Sequence, residues 1–122
     1  MATWQEMSAD CMKSAKVLLD QGLFRRSISS SYYSAYCAIT YEFVAKGVNF
    51  AHGWRNPAHD QMPELIFNSL GLPRTAKHEL RKLVFLLRQS RENADYRPQV
   101  SIEKRLALEA VVMAHRVIKI LE

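Results

Sequence analysis

Apolar residues recur along this chain at intervals of three and four, and nowhere with the alternation of a strand, so the pattern predicts helices throughout. The first helix runs from about Thr3 to Gln21, with Trp4, Met7, Cys11, Ala15 and Leu18 on its core face. Thr3 and Glu6 have the spacing of a capping box, and Gly22 suits the left-handed position that ends a helix. After a short turn the second helix begins near Phe24 and continues to about Lys46, before Gly47, so the two should pack as an antiparallel hairpin. Within it, Ser27 to Tyr41 has no charge, Gly or Pro and sets small residues between aromatics. Ile28, Tyr32, Ala35, Ile39 and Phe43 share one face. Such a helix is expected at the centre of the fold, contacted from several sides, with tyrosine hydroxyls that need partners where buried.

Val48 to Pro57 breaks the pattern with Gly53 and Asn56-Pro57, giving a loop long enough to be a place for function. A short third helix is predicted over Ala58 to Leu70, with Leu65, Ile66, Phe67 and Leu70 apolar. The fourth starts near Pro73 and runs to about Asn93, burying Leu80, Leu83, Val84 and Leu87. Asp95-Tyr96-Arg97-Pro98 reads as a turn, because Pro98 pushes Arg97 out of helical geometry. The fifth opens with Ser101 as N-cap and carries Leu106, Ala110, Met113, Val117 and Ile120 as a heptad-like seam. The predicted fold class is all-α, with four long helices and one short one in a single domain over residues 1–122.

Charge adds one local feature. Seventeen Lys plus Arg against twelve Asp plus Glu give +5, and the stretch from Arg74 to Arg91 alone carries that excess. This permits anionic partners without demanding them. Two cysteines, Cys11 and Cys37, have neither the number nor the spacing of a disulfide framework or a zinc site, and are expected as buried free thiols. With no apolar leader in the first 20 residues and no run that could span a bilayer, a soluble cytoplasmic protein is expected.

The segment from Ser14 to Tyr36, with Leu18-Leu19 before Gly22, then Phe24 and the Ser31-Tyr32-Tyr33-Ser34-Ala35 run, resembles the HEPN family. Arg91-Glu92-Asn93-Ala94-Asp95-Tyr96 resembles the Arg, two residues, Ala-Asp-Tyr signature that closes the fourth helix of small prokaryotic members. The resemblance implies an up-and-down helical bundle, a homodimer, and a connection to RNA or nucleotides in a toxin-antitoxin or defence setting. It further implies a minimal nucleotidyltransferase as partner, and in the ribonuclease members RNA cleavage without metal by an Arg followed, after four to six intervening residues, by a His. Neither a metal nor a cofactor is expected. Here Arg55 precedes His59, and Arg74 precedes His78, with only three residues between in each case.

His plus Arg is chemically sufficient for metal-free RNA cleavage, which needs a proton acceptor, a proton donor and a cation for the phosphorane. Arg55 and His59 are therefore the candidate catalytic pair. The candidate nucleotide- or RNA-binding residues are Arg91, Asp95 and Tyr96, with Arg74, Arg81 and Arg88 on the basic face and Trp54 or Tyr96 able to stack on bases. Each has a plainer reading. Arg91 and Asp95 are spaced to pair along a helix, Tyr96 to form a corner of the bundle, and the basic face to be solvated surface. Tyr32, Tyr33 and Tyr36 read as core or dimer contacts, and His115 as a structural residue of the fifth helix. Three functions are in view: a binding or regulatory module without catalysis, a ribonuclease, and a purely structural interaction partner.

Overall fold

The computed structural model describes all 122 residues, and every regular element is helical. The helices are α1 (Trp4–Asp20), α2 (Phe24–Ala45), α3 (Met62–Ser69), α4 (Arg74–Tyr96) and α5 (Lys104–Leu121), with single 3-10 turns at Ala51–Gly53 and His59–Gln61. None is long and apolar enough to cross a membrane.

Thr3 caps α1 by accepting from the Glu6 backbone N–H at 3.1 Å. Gly22 and Gly47, at φ +77 and +71, end α1 and α2 in the same way. In each case the glycine N–H and the next one turn back onto the last helical carbonyls, Leu19 and Leu18 after α1, Val44 and Phe43 after α2.

α2 is the hub the sequence predicts, packing against α1, α4 and α5. Its predicted face of Ile28, Tyr32, Ala35, Ile39 and Phe43 is buried throughout. Serines let α1 come close. Ser8 Oγ donates to Ser34 O at 2.7 Å while Ser34 Oγ donates to Ser8 O at 2.9 Å. Further along, Ser27 Oγ donates to Ala15 O at 2.7 Å, so partner positions run in opposite directions and the pair is antiparallel. α4 also runs against α2, with Tyr33 meeting Arg91 and Arg25 meeting Ala94. α5 returns along α4, held at one end by Arg116 on Glu79 at 2.8 and 2.9 Å. The bundle is thus up-and-down.

The C-terminus of α4 is gathered by one side chain. Arg25, near the start of α2, donates to the carbonyls of Asn93, Ala94, Arg97, Pro98 and Val100 at 2.6–3.3 Å. A guanidinium there satisfies carbonyls with no intrahelical partner and opposes the negative end of the helix dipole. Arg25→Ala is expected to lower the unfolding free energy by about 2 kcal/mol, the scale of hydrogen bonds from a charged donor. Arg25→Lys recovers only part, since a point charge cannot span the fork, and a urea melt with unchanged slope reads both.

Several boundaries and faces differ from the sequence reading. α4 continues three residues past Asn93 to Tyr96, so Asp95 and Tyr96 are helical and the turn begins at Arg97. α5 starts at Lys104 with Glu103 in the cap position rather than Ser101. The segment before it is drawn to Arg25 through the carbonyls up to Val100. The predicted third helix is a 3-10 turn followed by α3 proper. On α1 the buried positions are Ser8, Met12 and Ala15, and Met7 is exposed. Because the Ser8 hydroxyl is satisfied by Ser34, a polar residue occupies the core side. On α5 the buried set is Ala107, Ala110, Val111, Ala114 and Val117, and His115 points to solvent. Both cysteines are free, Cys37 buried and Cys11 partly so.

Candidate functional site

Tyr32, Tyr33 and Tyr36 project from one part of α2, with ring centroids 5.2–6.2 Å apart. Two of their hydroxyls fasten the loop before α3. Tyr36 donates to the Pro57 carbonyl at 2.6 Å and accepts from Asn56 Nδ2 at 2.8 Å. Tyr32 is hydrogen-bonded to His59 Nδ1. The His59 ring lies among all three tyrosines, at 4.9 Å from Tyr36, 5.5 Å from Tyr32 and 6.1 Å from Tyr33.

α4 supplies the cation. The Arg91 guanidinium lies 5.2 Å from the Tyr32 ring, 5.7 Å from Tyr33 and 5.6 Å from Tyr96, donates to the Tyr33 hydroxyl at 3.4 Å, and is only 8% exposed. Its Asp95 partner is 4.0 Å away and is itself shared with Ser29 Oγ at 3.1 Å. The buried Arg91 Nε has no partner at all. One turn earlier Arg88 Nε lies 3.2 Å from Glu92 Oε1, outside the alignment of a directed hydrogen bond, and is also buried and unsatisfied. Unpaired buried donors are uncommon, and each calls for an explanation such as a bound ion, a water or a catalytic role.

The electrostatics follow from this packing. His59 is pushed below its ordinary value, first by burial and then by Arg91 and Arg88, against weaker pulls from Asp60 and Glu92. Tyr32 is raised, because burial outweighs the same two arginines, and Tyr36 is raised by burial against its bond from Asn56. At neutral pH the His59 imidazole and the Tyr32 and Tyr36 phenols are therefore uncharged, beside the guanidinium groups of Arg88 and Arg91.

A stability signature follows. Below His59's ordinary value of 6.5 the unfolded chain takes up a proton that the folded chain refuses, so stability falls as pH drops from there toward the lower folded value. His59→Phe is expected to flatten that fall. Urea melts at about pH 7.5 and about pH 5.5 check it, read as the difference between variant and wild type because His115 is depressed in the same direction.

Of the residues singled out from the sequence, Arg91, Asp95 and Tyr96 come together, and they come together with His59. Tyr96 is not a packed corner: it is 70% exposed, with its ring against Arg91 and no partner for its hydroxyl. Arg55 lines a neighbouring groove with Trp4, Phe50 and Trp54 and makes no ion pair, and the cations that act on His59 are Arg91 and Arg88. Arg81 covers the Phe67 ring at 4.6 Å and Lys77 donates to the Phe67 carbonyl at 2.9 Å, so part of the basic face docks α3. Arg74 is exposed at the start of α4. Sequence reasoning missed Tyr32, Tyr33, Tyr36, Asn56 and Ser29 as part of the site. The available signal was the need of buried tyrosine hydroxyls for partners. No three His, Cys, Asp or Glu side chains converge as a metal-binding group.

These features define a class, an antiparallel helical bundle with a charged aromatic pocket where α2 packs on α4. The HEPN domain model matches residues 1–122, the whole chain, and the protein belongs to the HEPN family. Comparison with curated proteins found no match.

Proposed function

We propose that the protein is a HEPN module that binds single-stranded RNA or a nucleotide through the pocket of His59, Arg88, Arg91 and the α2 tyrosines. The observation that carries this reading is Arg91, buried under three rings with an unpartnered Nε beside a neutral His59. A phosphate oxygen is the acceptor that such a donor lacks, and the planar fork of Arg suits it. Anisotropy titration of a labelled single-stranded RNA tests the reading. Affinity should fall with log salt by about 0.7 per phosphate contact. Arg88→Ala should flatten the slope, and His59→Ala should weaken binding about tenfold, the scale of a lost hydrogen bond to a charged group. No binding at low salt, or affinity indifferent to both changes, overturns it.

The hydrogen bond between Tyr32 and His59 favours a second reading, metal-independent cleavage at the same pocket. With Nδ1–H donating to the Tyr32 hydroxyl oxygen, Nε2 is left with a lone pair to take the 2′-hydroxyl proton, and Arg91 faces the charge that grows on the phosphorus oxygens. The leaving oxygen needs a second proton donor, and a homodimer of the kind the resemblance implies supplies a second His59. RNA products ending in 2′,3′-cyclic phosphate in the presence of a chelator, lost in His59→Ala, support it. Intact RNA after prolonged incubation leaves binding alone.

A further inference from the structure

The loop between α2 and α3 borders a second concavity, a groove of about 630 Å³ lined by Trp4, Val48, Asn49, Phe50, Trp54 and Arg55 among others, with no acidic side chain on it. Trp54 is 52% exposed, although tryptophan is a costly residue to leave in water. Its ring is paired with His52 at 5.1 Å, and His52 is the only non-glycine residue with positive φ, at 61. Arg55 forms no ion pair and no side-chain hydrogen bond, so its cation is free for a ligand.

The groove adjoins the His59 pocket. Trp4 lies edge-on to Tyr36 at 6.4 Å, and the residues after Arg55 are those the Tyr36 hydroxyl fixes through Asn56 and Pro57. From Trp54 to His59 the chain is five residues, a span of at most about 17 Å even if fully extended. We infer that the groove is a base-binding subsite of a single-stranded RNA: a base stacks on Trp54, Arg55 holds a flanking phosphate, and the strand continues to His59 and Arg91. Three observations select this occupant over a peptide or a second copy of the chain: an accessible π-face, an unpaired cation beside it, and an adjoining second cationic pocket. Base stacking on an exposed aromatic is sequence-tolerant, so no base preference is expected from Trp54 alone.

This subsite rests on the RNA reading of the pocket, and the experiment separates the two. A single-stranded oligoadenylate, titrated at low salt, should quench tryptophan fluorescence in the wild type. Trp54→Ala should bind it about tenfold more weakly with an unchanged salt slope, and Trp54→Phe should regain most of the loss. Arg55→Ala should lower the slope by about 0.7. Trp54 and Arg55 are exposed, so these variants fold. If Trp54→Ala binds as the wild type does while Arg88→Ala is impaired, the subsite is wrong and the pocket stands. If Trp54→Ala is impaired while Arg88→Ala and His59→Ala are not, the pocket reading is wrong and the groove binds RNA without it. No quench and no binding to the wild type overturns both. Dissociation of an oligomer by Trp54→Ala in sedimentation, without effect on RNA, assigns the groove to a second copy and overturns the subsite.

Discussion

Arg91→Ala is expected to lower the unfolding free energy by about 3 kcal/mol, the low end for breaking a buried ion pair by removing one partner. The carboxylate left behind keeps its bond from Ser29, which holds the loss to that end of the range. Three rings nevertheless lose the cation they surround, and a long side chain leaves a void between α2 and α4. Arg91→Met fills the void and isolates the charge, so it should recover part of the stability and none of the RNA affinity. Arg91→Lys should bind RNA poorly, because an ammonium cannot bridge Tyr33 and a phosphate as a planar fork does. Urea melts and anisotropy on the same preparations separate the two effects, and a stable Arg91→Met that still binds RNA would remove Arg91 from the site.

Ser34→Leu is the second large effect. Ser34 is fully buried where α1 crosses α2, and the two serines there exchange hydroxyl-to-carbonyl bonds at 2.7 and 2.9 Å. A leucine adds volume where the backbones already touch, costing about 1–3 kcal/mol. It also removes the hydroxyl that donates to Ser8 O and forces the Ser8 hydroxyl off its acceptor, adding about 1–3 kcal/mol. The sum, about 4 kcal/mol, approaches the whole stability of a small domain, so the variant should be largely unfolded at 37 °C by circular dichroism. Ser34→Ala keeps the backbone approach and should cost only about 1 kcal/mol. Equal melts for the alanine and leucine variants would show that close approach is not what Ser34 provides.

The helices were legible because their apolar spacing is regular and their ends carry Thr3, Gly22 and Gly47. α2 was legible as a hub because nothing in Ser27 to Tyr41 needs water. The faces of α1 and α5 were read less well: on α1 hydrophobic periodicity does not register a core serine whose hydroxyl is satisfied by another helix, and on α5 the buried positions are mostly alanines while Leu108 and Val112 are exposed. The pocket was half legible. Arg91, Asp95 and Tyr96 lie within two helical turns and could be found together, whereas the His59 environment is built from Tyr32 and Arg91, far from it in sequence. A search for an arginine close to a histidine along the chain finds Arg55, but the fold brings Arg91 across from another helix.

The two ties between α2 and α4 also set the order in which the molecule can be assembled. Contacts that join α1 to α2 close segments of 12 and 26 residues, whereas Tyr33 to Arg91 closes 58 and Arg25 to Val100 closes 75. Chain closure costs more entropy as the enclosed segment lengthens, so the hairpin is favoured early and the α4 attachment late. Until Arg25 has gathered the end of α4, the tyrosines face water and His59 has no cation beside it. The pocket therefore forms only once α4 has docked on α2, and a nascent or partly melted molecule that keeps the α1–α2 hairpin alone is silent toward any ligand of this site.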